Sequence, residues 1–317
     1  MTGGAGYIGG TVAALLHGRG HSITVFDNLC HSARVRVPDG VDFVEGDLGD
    51  QSGLRKLLAR GFDGVMHFAG FIEAGESMVK PEVYFQNNTA GSLNLIQAML
   101  AAGLQRIVFS STAAVYGEPE VTPIREDAAL RPTNAYGESK LFVEKMLAWM
   151  YQVHGFPYAS LRYFNVAGAA GGRGEAHDPE SHLIPLILDV AIGRRDKIRI
   201  YGDDYPTRDG TCVRDYIHME DLVDAHMLAL ESLASGGKRI YNLGNGSGFT
   251  VREVIETARR VTGHPIPAEV VPRRPGDPAI LIASSAKIER ELGWKPRHTT
   301  LDTIVSSAWE WHRKLYG

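Results

Sequence analysis

The sequence predicts an α/β protein: a doubly wound parallel sheet with helices on both faces, followed by a smaller C-terminal α/β unit. Three observations predict it. Short β-rich runs alternate with helical periodicity through the first half. Glycines recur three apart at Gly3, Gly6 and Gly9, ahead of a helical segment. Near residue 166 the alternation gives way to shorter, irregular elements, after which glycine and charged residues crowd positions 168–178.

The elements follow in order. Residues 22–26, 41–44, 65–68, 107–109 and 161–164 read as strands. Residues 12–16, 54–58, 93–99 and 141–153 carry the periodic apolar pattern of the helices between them. No fixed-period repeat and no low-complexity linker interrupts the chain, so its two parts are expected to pack closely.

The chain carries 33 basic and 37 acidic residues, a formal charge of −4, and lacks the basic footprint of a general nucleic-acid binder. No apolar run approaches the roughly 18 residues of a membrane span, and no signal peptide is visible. Two cysteines, Cys30 and Cys212, form no disulfide framework, so the expected compartment is the cytoplasm. Twelve histidines include no metal-ligand spacing, and no metal site is expected.

Glycine is the compositional outlier, 36 of 317 residues or about 11%, against an ordinary value of roughly 7%. Five glycines fall in the first ten residues. The spacing of Gly3, Gly6 and Gly9 suits a turn where side chains would keep a pyrophosphate from the backbone N–H groups. The strand that follows ends in Asp27, 24 residues after Gly3, close to the roughly 20 expected of a ribose-binding carboxylate. Such a carboxylate accepts ribose hydroxyls and repels a 2′-phosphate, which favours NAD over NADP. The fingerprint normally follows a central strand, yet only Met1 and Thr2 precede Gly3. The expectation is that the natural chain begins several residues upstream, because without that strand both neighbours lose hydrogen-bond partners.

Tyr136 and Lys140 stand at i and i+4 near the start of a predicted helix, on one face. A phenol near pKa 10 is too weak a base at neutral pH. Bringing it down by three units takes about 4 kcal/mol, which a nearby ammonium and an oxidised nicotinamide could supply. Ser110, Ser111 and Thr112 lie at the carboxyl end of the apolar run 107–109, where parallel sheets present ligand-facing residues. A hydroxyl there can hydrogen-bond the reacting oxygen.

With these residues in view, the chain resembles the extended short-chain dehydrogenase/reductase family and, within it, the UDP-glucose 4-epimerases, over essentially its full length. The resemblance is carried by residues 3–9, 27–30, 45–47, 67–70, 75–77, 87–88, 115–117, 136–140, 162–165, 203–207, 213–218 and 273–277. It implies an NAD-binding domain over 1–165. A mainly UDP-sugar-binding domain would cover 166–317, with a segment near 212–235 packing back on the first. It further implies bound NAD, a UDP-sugar substrate taken through a 4-keto intermediate, and a homodimer. Tyr136 would act as base, with Lys140 and Thr112 beside it. Gly3, Gly6, Tyr7, Ile8, Gly9, Asp27, Asn28, His31, Ser32, Asp47, Leu48, Phe68, Ala69, Gly70, Asn87, Tyr136, Lys140, Tyr163 and Phe164 would line the cofactor site. Thr112, Tyr136, Asn165, His182, Arg214, Arg274 and Asp277 would hold the substrate, the arginines as diphosphate clamps.

Four positions depart from the family pattern, of which Thr112, in place of the usual serine, keeps the hydroxyl. Ile72 replaces a lysine that touches the cofactor phosphates, and His182 replaces an asparagine on the substrate phosphate. Ile280 stands where a residue gates the sugar C2 substituent, leaving N-acetylated and uronic UDP-sugars as alternative substrates. A nucleotide-sugar dehydratase would need an acid just after Thr112, where Ala113 and Ala114 stand. A protein that merely senses NAD would have no need of Tyr136, Lys140 and two diphosphate clamps together.

Overall fold

A computed structural model describes residues 1–177, 179–274 and 277–317. Asp178, at the end of the glycine-rich stretch, and Pro275 and Gly276, within the string 273–277, lie outside the described residues.

The main sheet is wholly parallel. Asp42–Glu45 pairs with Thr24–Asp27, while Val65–His67, Ile107–Thr112, Tyr158–Tyr163 and Lys238–Leu243 pair in that order. Thr2 joins the two groups by bridging Phe26 on one side and His67 on the other. Phe26 N donates to Met1 O at 2.7 Å and Gly3 N to Phe26 O at 2.9 Å. Thr2 N donates to Met66 O at 3.1 Å and Phe68 N to Thr2 O at 3.0 Å. The neighbours are therefore paired at the level of Thr2. Successive residues of an extended segment face opposite neighbours: Thr2 turns both its N–H and its C=O to Met66 and Phe68, while Met1 O and Gly3 N meet Phe26.

Strand order reverses at Thr2, so the turn beginning at Gly3 and the chain after His67 open on one crevice, where doubly wound sheets bind ligands. The two faces follow from the period of two along each strand. Val65, Ile107 and Phe109 pack under Leu54, Leu57, Leu95, Ile96 and Leu147. Met66, Val108 and Leu161 pack under Val12, Leu16, Leu222 and Val223. Both faces being covered explains why these strands read as continuous apolar runs.

The chain does not leave the first core once and for all. The helix Met219–Ser232 buries Met219, Leu222, Val223, Ala225 and Ala229 against the sheet, and Lys238–Leu243 becomes its outer strand. The returning segment thus extends to Leu243, beyond the 212–235 expected from sequence. Its strand pairs with Tyr158–Tyr163, a partner 80 residues distant that no local pattern specifies. Trp294, fully buried, follows it and donates to Asp221 O at 2.9 Å.

A second core forms where Ile184, Ile187 and Leu188 meet Val254, Ile255, Ile304 and Val305 over Ile198 and Ile200. Its strands are short: Ile198–Tyr201 with Ala268–Val271, and Val213–Arg214 between Phe249–Thr250 and Ile280–Leu281. Among the described residues, no helix is long and apolar enough to cross a membrane.

Candidate functional site

The opening glycines form a tight turn into the helix Tyr7–Gly18. Gly3 has φ +69°, and a Cβ there would sit 2.5 Å from Ala69 N, so only glycine fits between the two loops. A Cβ on Gly9 would lie 2.3 Å from Gly3 O, whereas one on Gly6 would meet only that carbonyl, at 3.5 Å. Gly6 therefore faces open space. As N-cap it has no side chain to satisfy the first N–H groups of the helix, and no acid occupies the first turn. Free N–H groups behind open space are what a pyrophosphate requires, so the residues present fit a dinucleotide. Gly9→Ala is expected to destabilise the fold by ~1–3 kcal/mol and to weaken NAD binding, because backbone rather than a side chain must give way. Thermal denaturation and NAD titration check this; unchanged NAD affinity would count against the turn as the binding element.

Asp27 ends its strand beside this turn. Its carboxylate accepts from Ala5 N at 3.0 Å, Leu29 N at 2.8 Å and Ser32 Oγ at 3.0 Å. Asn28 donates to Asp47 at 2.5 Å, and the carbonyl of Leu48 accepts from Asn94 at 3.0 Å. His31 meets the edge of the Phe71 ring, with centroids 4.9 Å apart. Ile8 packs on the first core, and Tyr7 donates to Gly168 O at 2.6 Å, tying the turn to the second half. Ile72 is about one-third exposed on the loop after Gly70.

The predicted base, its lysine and its threonine converge across the carboxyl end of Ile107–Thr112. Asn134 caps the helix Ala135–His154 through Gly137 N at 2.8 Å, placing Tyr136 in its first turn. Lys140 is buried and donates to Ser110 O at 3.1 Å; burial pulls its ammonium down to about 8. Burial pushes the Tyr136 phenol up, Thr112 acts the other way by hydrogen bonding, and the Glu73 charge pushes up again. The protein groups alone therefore leave Tyr136 neutral. The lowered phenol expected from sequence needs more than the lysine; a nicotinamide cation is the component the chain does not itself supply.

Gly70 is packed tightly here, since a Cβ would lie 3.0 Å from Lys140 Nζ and 3.2 Å from Asn88 Oδ1. Asn88, in the π-helical turn Phe85–Ala90, was not singled out for a role from sequence. It accepts from Phe71 N at 2.8 Å and donates to Ser139 Oγ at 3.0 Å, fixing the Gly70 loop to the Tyr136 helix. Its neighbour Asn87 donates to Asn88 Oδ1 at 2.9 Å. Tyr163 hydrogen-bonds His226 Nε2 at 2.5 Å, Phe68 packs 5.0 Å from the same imidazole, and Phe164 is buried beside Val115 and Leu141.

Asn165, His182, Arg214, Arg274 and Asp277 line a single cavity of about 650 Å³ between the two cores, together with Tyr7, Tyr201 and Cys212. Thr112, Tyr136, Lys140 and Ile280 are not in its walls. Glu73 lies between the two groups: its charge acts on Tyr136 and on His182, and it accepts from Ser181 Oγ at 3.2 Å. Arg214 pairs with Asp277, and the Arg274 guanidinium lies 3.8 Å over the Tyr201 ring. Burial pulls His182 down, but the carboxylates of Glu180 and Glu175 outweigh it and hold the imidazole up to about 9. Arg214, Arg274 and the His182 imidazolium, with Arg195, Lys197 and Arg199 also in the wall, make a set of cations suited to a diphosphate.

Asp215 was also missed. Its carbonyl takes both Asn165 N at 3.1 Å and Asn165 Nδ2 at 2.9 Å. Its carboxylate, fully buried, accepts from Asn245 N, Gly246 N and Ala283 N at 2.8–3.0 Å. Burial pushes its pKa up to about 6 despite those three donors. Glu175, His177 and His182 bring one nitrogen or carboxylate oxygen each to within 4.8 Å of one another beside the cavity, a proximity that no local spacing in the sequence marks.

The profile of the NAD dependent epimerase/dehydratase family matches residues 1–244. A UDP-glucose 4-epimerase of Streptomyces lividans is 55% identical over 315 residues, spanning 98% of this chain and 95% of its own length. The crystal structure of a UDP-glucose 4-epimerase from Brucella ovis in complex with NAD is 43% identical and superposes with a TM-score of 0.94, covering 98% of this chain and 96% of its own. That from Bifidobacterium longum, in complex with NAD+ and UDP, is 38% identical with a TM-score of 0.93, covering 99% and 97%.

Proposed function

The chain belongs to the NAD dependent epimerase/dehydratase family, and from that premise we propose that it interconverts UDP-galactose and UDP-glucose at C4 of the hexose, with NAD as its bound cofactor. One observation carries the reading. A Tyr–Lys–Thr cluster at the carboxyl end of the sheet stands next to a separate cavity walled by Arg214, Arg274 and an imidazolium at His182.

NAD, when bound, supplies the acceptor and then the donor of the C4 hydride, so that the stereocentre passes through a 4-keto sugar. The chain's own residues do the rest. Tyr136 takes the proton from the C4 hydroxyl and returns it, while Thr112 hydrogen-bonds the same oxygen. Lys140 supplies positive charge near the cofactor ribose and the phenol. Arg214, Arg274 and His182 hold the diphosphate, and Asn165 and Asp277 the remaining polar groups of the nucleotide sugar. Anchoring the nucleotide strongly and the sugar loosely lets the keto sugar turn and present its other face. Ala113 and Ala114, which follow Thr112 in the short turn Ala113–Tyr116, offer no acid for eliminating a C6 hydroxyl.

Mixing the protein with UDP-galactose and following UDP-glucose by coupled assay or NMR tests the reading; no interconversion by NAD-loaded protein would refute it. UDP-N-acetylgalactosamine, run in parallel, decides the breadth that Ile280 leaves open. The pH profile tests the lysine. Its ammonium is charged at pH 7 and neutralises as pH rises through about 8, so activity should fall on the alkaline side near that value. In Lys140→Met the rate should be lower and that limb absent; an unchanged alkaline limb would remove Lys140 from this role.

A homodimer is part of the proposal, supported by Phe142, Trp149 and Val153 exposed along the helix Ala135–His154, a concentration of apolar surface unusual for a monomer. Sedimentation of the purified protein checks it. Cys30 and Cys212 are both free, which suits the reducing cytoplasm.

A further inference from the structure

We propose that Glu175, His177 and His182 form a binding site for a single divalent transition-metal cation of the zinc class, in the wall of the nucleotide-sugar cavity. One ligand atom from each of the three lies within 4.8 Å of the other two. Zinc–ligand bonds of about 2.0–2.2 Å place tetrahedral ligands about 3.3–3.6 Å apart, so separations of up to 4.8 Å need to close by about 1 Å, while the 2.6 Å contact of His177 Nδ1 with Glu175 Oε1 needs to open by roughly as much.

The carboxylate is already shared between the imidazoles. His177 Nδ1 lies 2.6 Å from Glu175 Oε1, and His182 Nδ1 lies 3.8 Å from Glu175 Oε2. Despite that proximity, His177 Nδ1 is buried and makes no aligned hydrogen bond among the described residues. The two ring centroids are 5.6 Å apart and the planes are tilted by 38°.

The surroundings hold the set in place. Glu175 Oε1 accepts from Ala176 N at 2.8 Å and His177 N at 3.2 Å, which aims the carboxylate. The Glu175 carbonyl accepts from Trp311 Nε1 at 2.9 Å, and the Ala176 carbonyl from Arg36 at 2.5 Å, pinning the loop from two separate elements. Glu180 Oε1 contacts His182 Nδ1 at 2.8 Å and is itself fixed by Ser181 N and His182 N. It can orient that imidazole or complete the coordination. Two imidazoles with a carboxylate suit zinc, cobalt or nickel, and are poor ligands for magnesium or calcium, which prefer all-oxygen sets. Glu175 and His182 line the cavity, giving the ion an entry path from solvent.

The test needs no substrate, but the site shares His182 with the epimerase reading: an ion displaces the proton on that imidazole and supplies positive charge to the cavity in its place. The full-length, NAD-loaded protein is treated with EDTA, dialysed and titrated with Zn²⁺ by calorimetry, and with Co²⁺ by visible absorption. One equivalent should bind with micromolar or tighter affinity, Co²⁺ should give the intense bands of a tetrahedral site, and millimolar Mg²⁺ should not compete. His177→Ala and Glu175→Gln should each weaken Zn²⁺ binding at least ~10-fold, Glu180→Gln ~10–100-fold, and His264→Ala, in an exposed loop elsewhere, not at all. No binding below millimolar Zn²⁺ overturns the proposal, as does binding that survives both His177→Ala and Glu175→Gln. If His177→Ala does not fold, judged by circular dichroism, the Glu175→Gln titration and the wild-type Co²⁺ spectrum decide.

Discussion

Tyr136→Phe is expected to lower the rate of UDP-galactose to UDP-glucose conversion by ~10²–10⁴-fold while NAD remains bound. The substitution removes one hydroxyl and leaves the ring. Lys140 keeps its hydrogen bond to Ser110 O, and the Gly70 loop stays fixed through Asn88. What goes is the group assigned to carry the proton from the C4 oxygen. Thr112 can still hydrogen-bond that oxygen, but an alcohol of ordinary acidity cannot replace a phenol as base. NAD extracted from the purified variant should match the wild-type amount, since Tyr136 lies apart from the glycine turn and Asp27. Turnover within tenfold of wild type would remove Tyr136 from the role of base. Loss of NAD along with activity would instead place its main contribution in cofactor binding.

The second large effect lies behind the site. Arg162 and Glu144 are 2% and 5% exposed and meet in a two-point pair, Nε to Oε1 at 2.9 Å and Nη2 to Oε2 at 2.6 Å. The remaining valences are filled: Arg162 Nη1 donates to Tyr116 Oη at 2.7 Å and to Glu126 O at 3.2 Å, while Ser111 Oγ donates to Glu144 Oε1 at 2.5 Å. Tyr116 passes its own proton to Asn242 Oδ1 at 2.7 Å. Arg162→Met should destabilise the protein by ~3–5 kcal/mol, because it leaves a carboxylate buried without its counter-charge. In a chain of this size the thermal midpoint should fall by roughly 5–8 °C. Adding Glu144→Leu should recover most of that loss, since an apolar pair of similar volume has no charge to strand. A single variant within about 1 kcal/mol of wild type would show that Glu144 finds a proton or water instead. Because Ser111 precedes Thr112, and Glu144 lies on the helix that carries Tyr136, the single variant should also slow turnover.

The parts of the site that were legible in the sequence are those set by a few consecutive residues. Gly3 and Gly9 announce a turn because only glycine tolerates the positive φ at Gly3 and backbone atoms 2.5 Å and 2.3 Å from where the two Cβ atoms would be, while Gly6 leaves the space in front of the helix open. Tyr136 and Lys140 announce a shared helix face because four residues make about one turn. The strands read clearly because burial on both faces demands unbroken apolar runs. Illegible were the contacts that sequence separation hides: Asn88 with Ser139, Arg162 with Glu144, and the Asp215 carboxylate with Asn245, Gly246 and Ala283. A buried ion pair has no local signature, since either residue alone reads as an exposed charge.

The sequence by itself determined the α/β class, a parallel sheet in the first half, the dinucleotide turn and the shared helix face of Tyr136 and Lys140. All of these depend on backbone preferences and periodicities that act within about one turn or one strand. Only the tertiary structure decided that Lys238–Leu243 returns to close the sheet beside Tyr158–Tyr163. It alone decided that the protein groups leave Tyr136 a neutral phenol, and that Glu175, His177 and His182 bring ligand atoms within 4.8 Å of one another. Desolvation, charge and ligand geometry depend on distances between side chains, and those distances are fixed when the two cores pack, not by the order of residues along the chain.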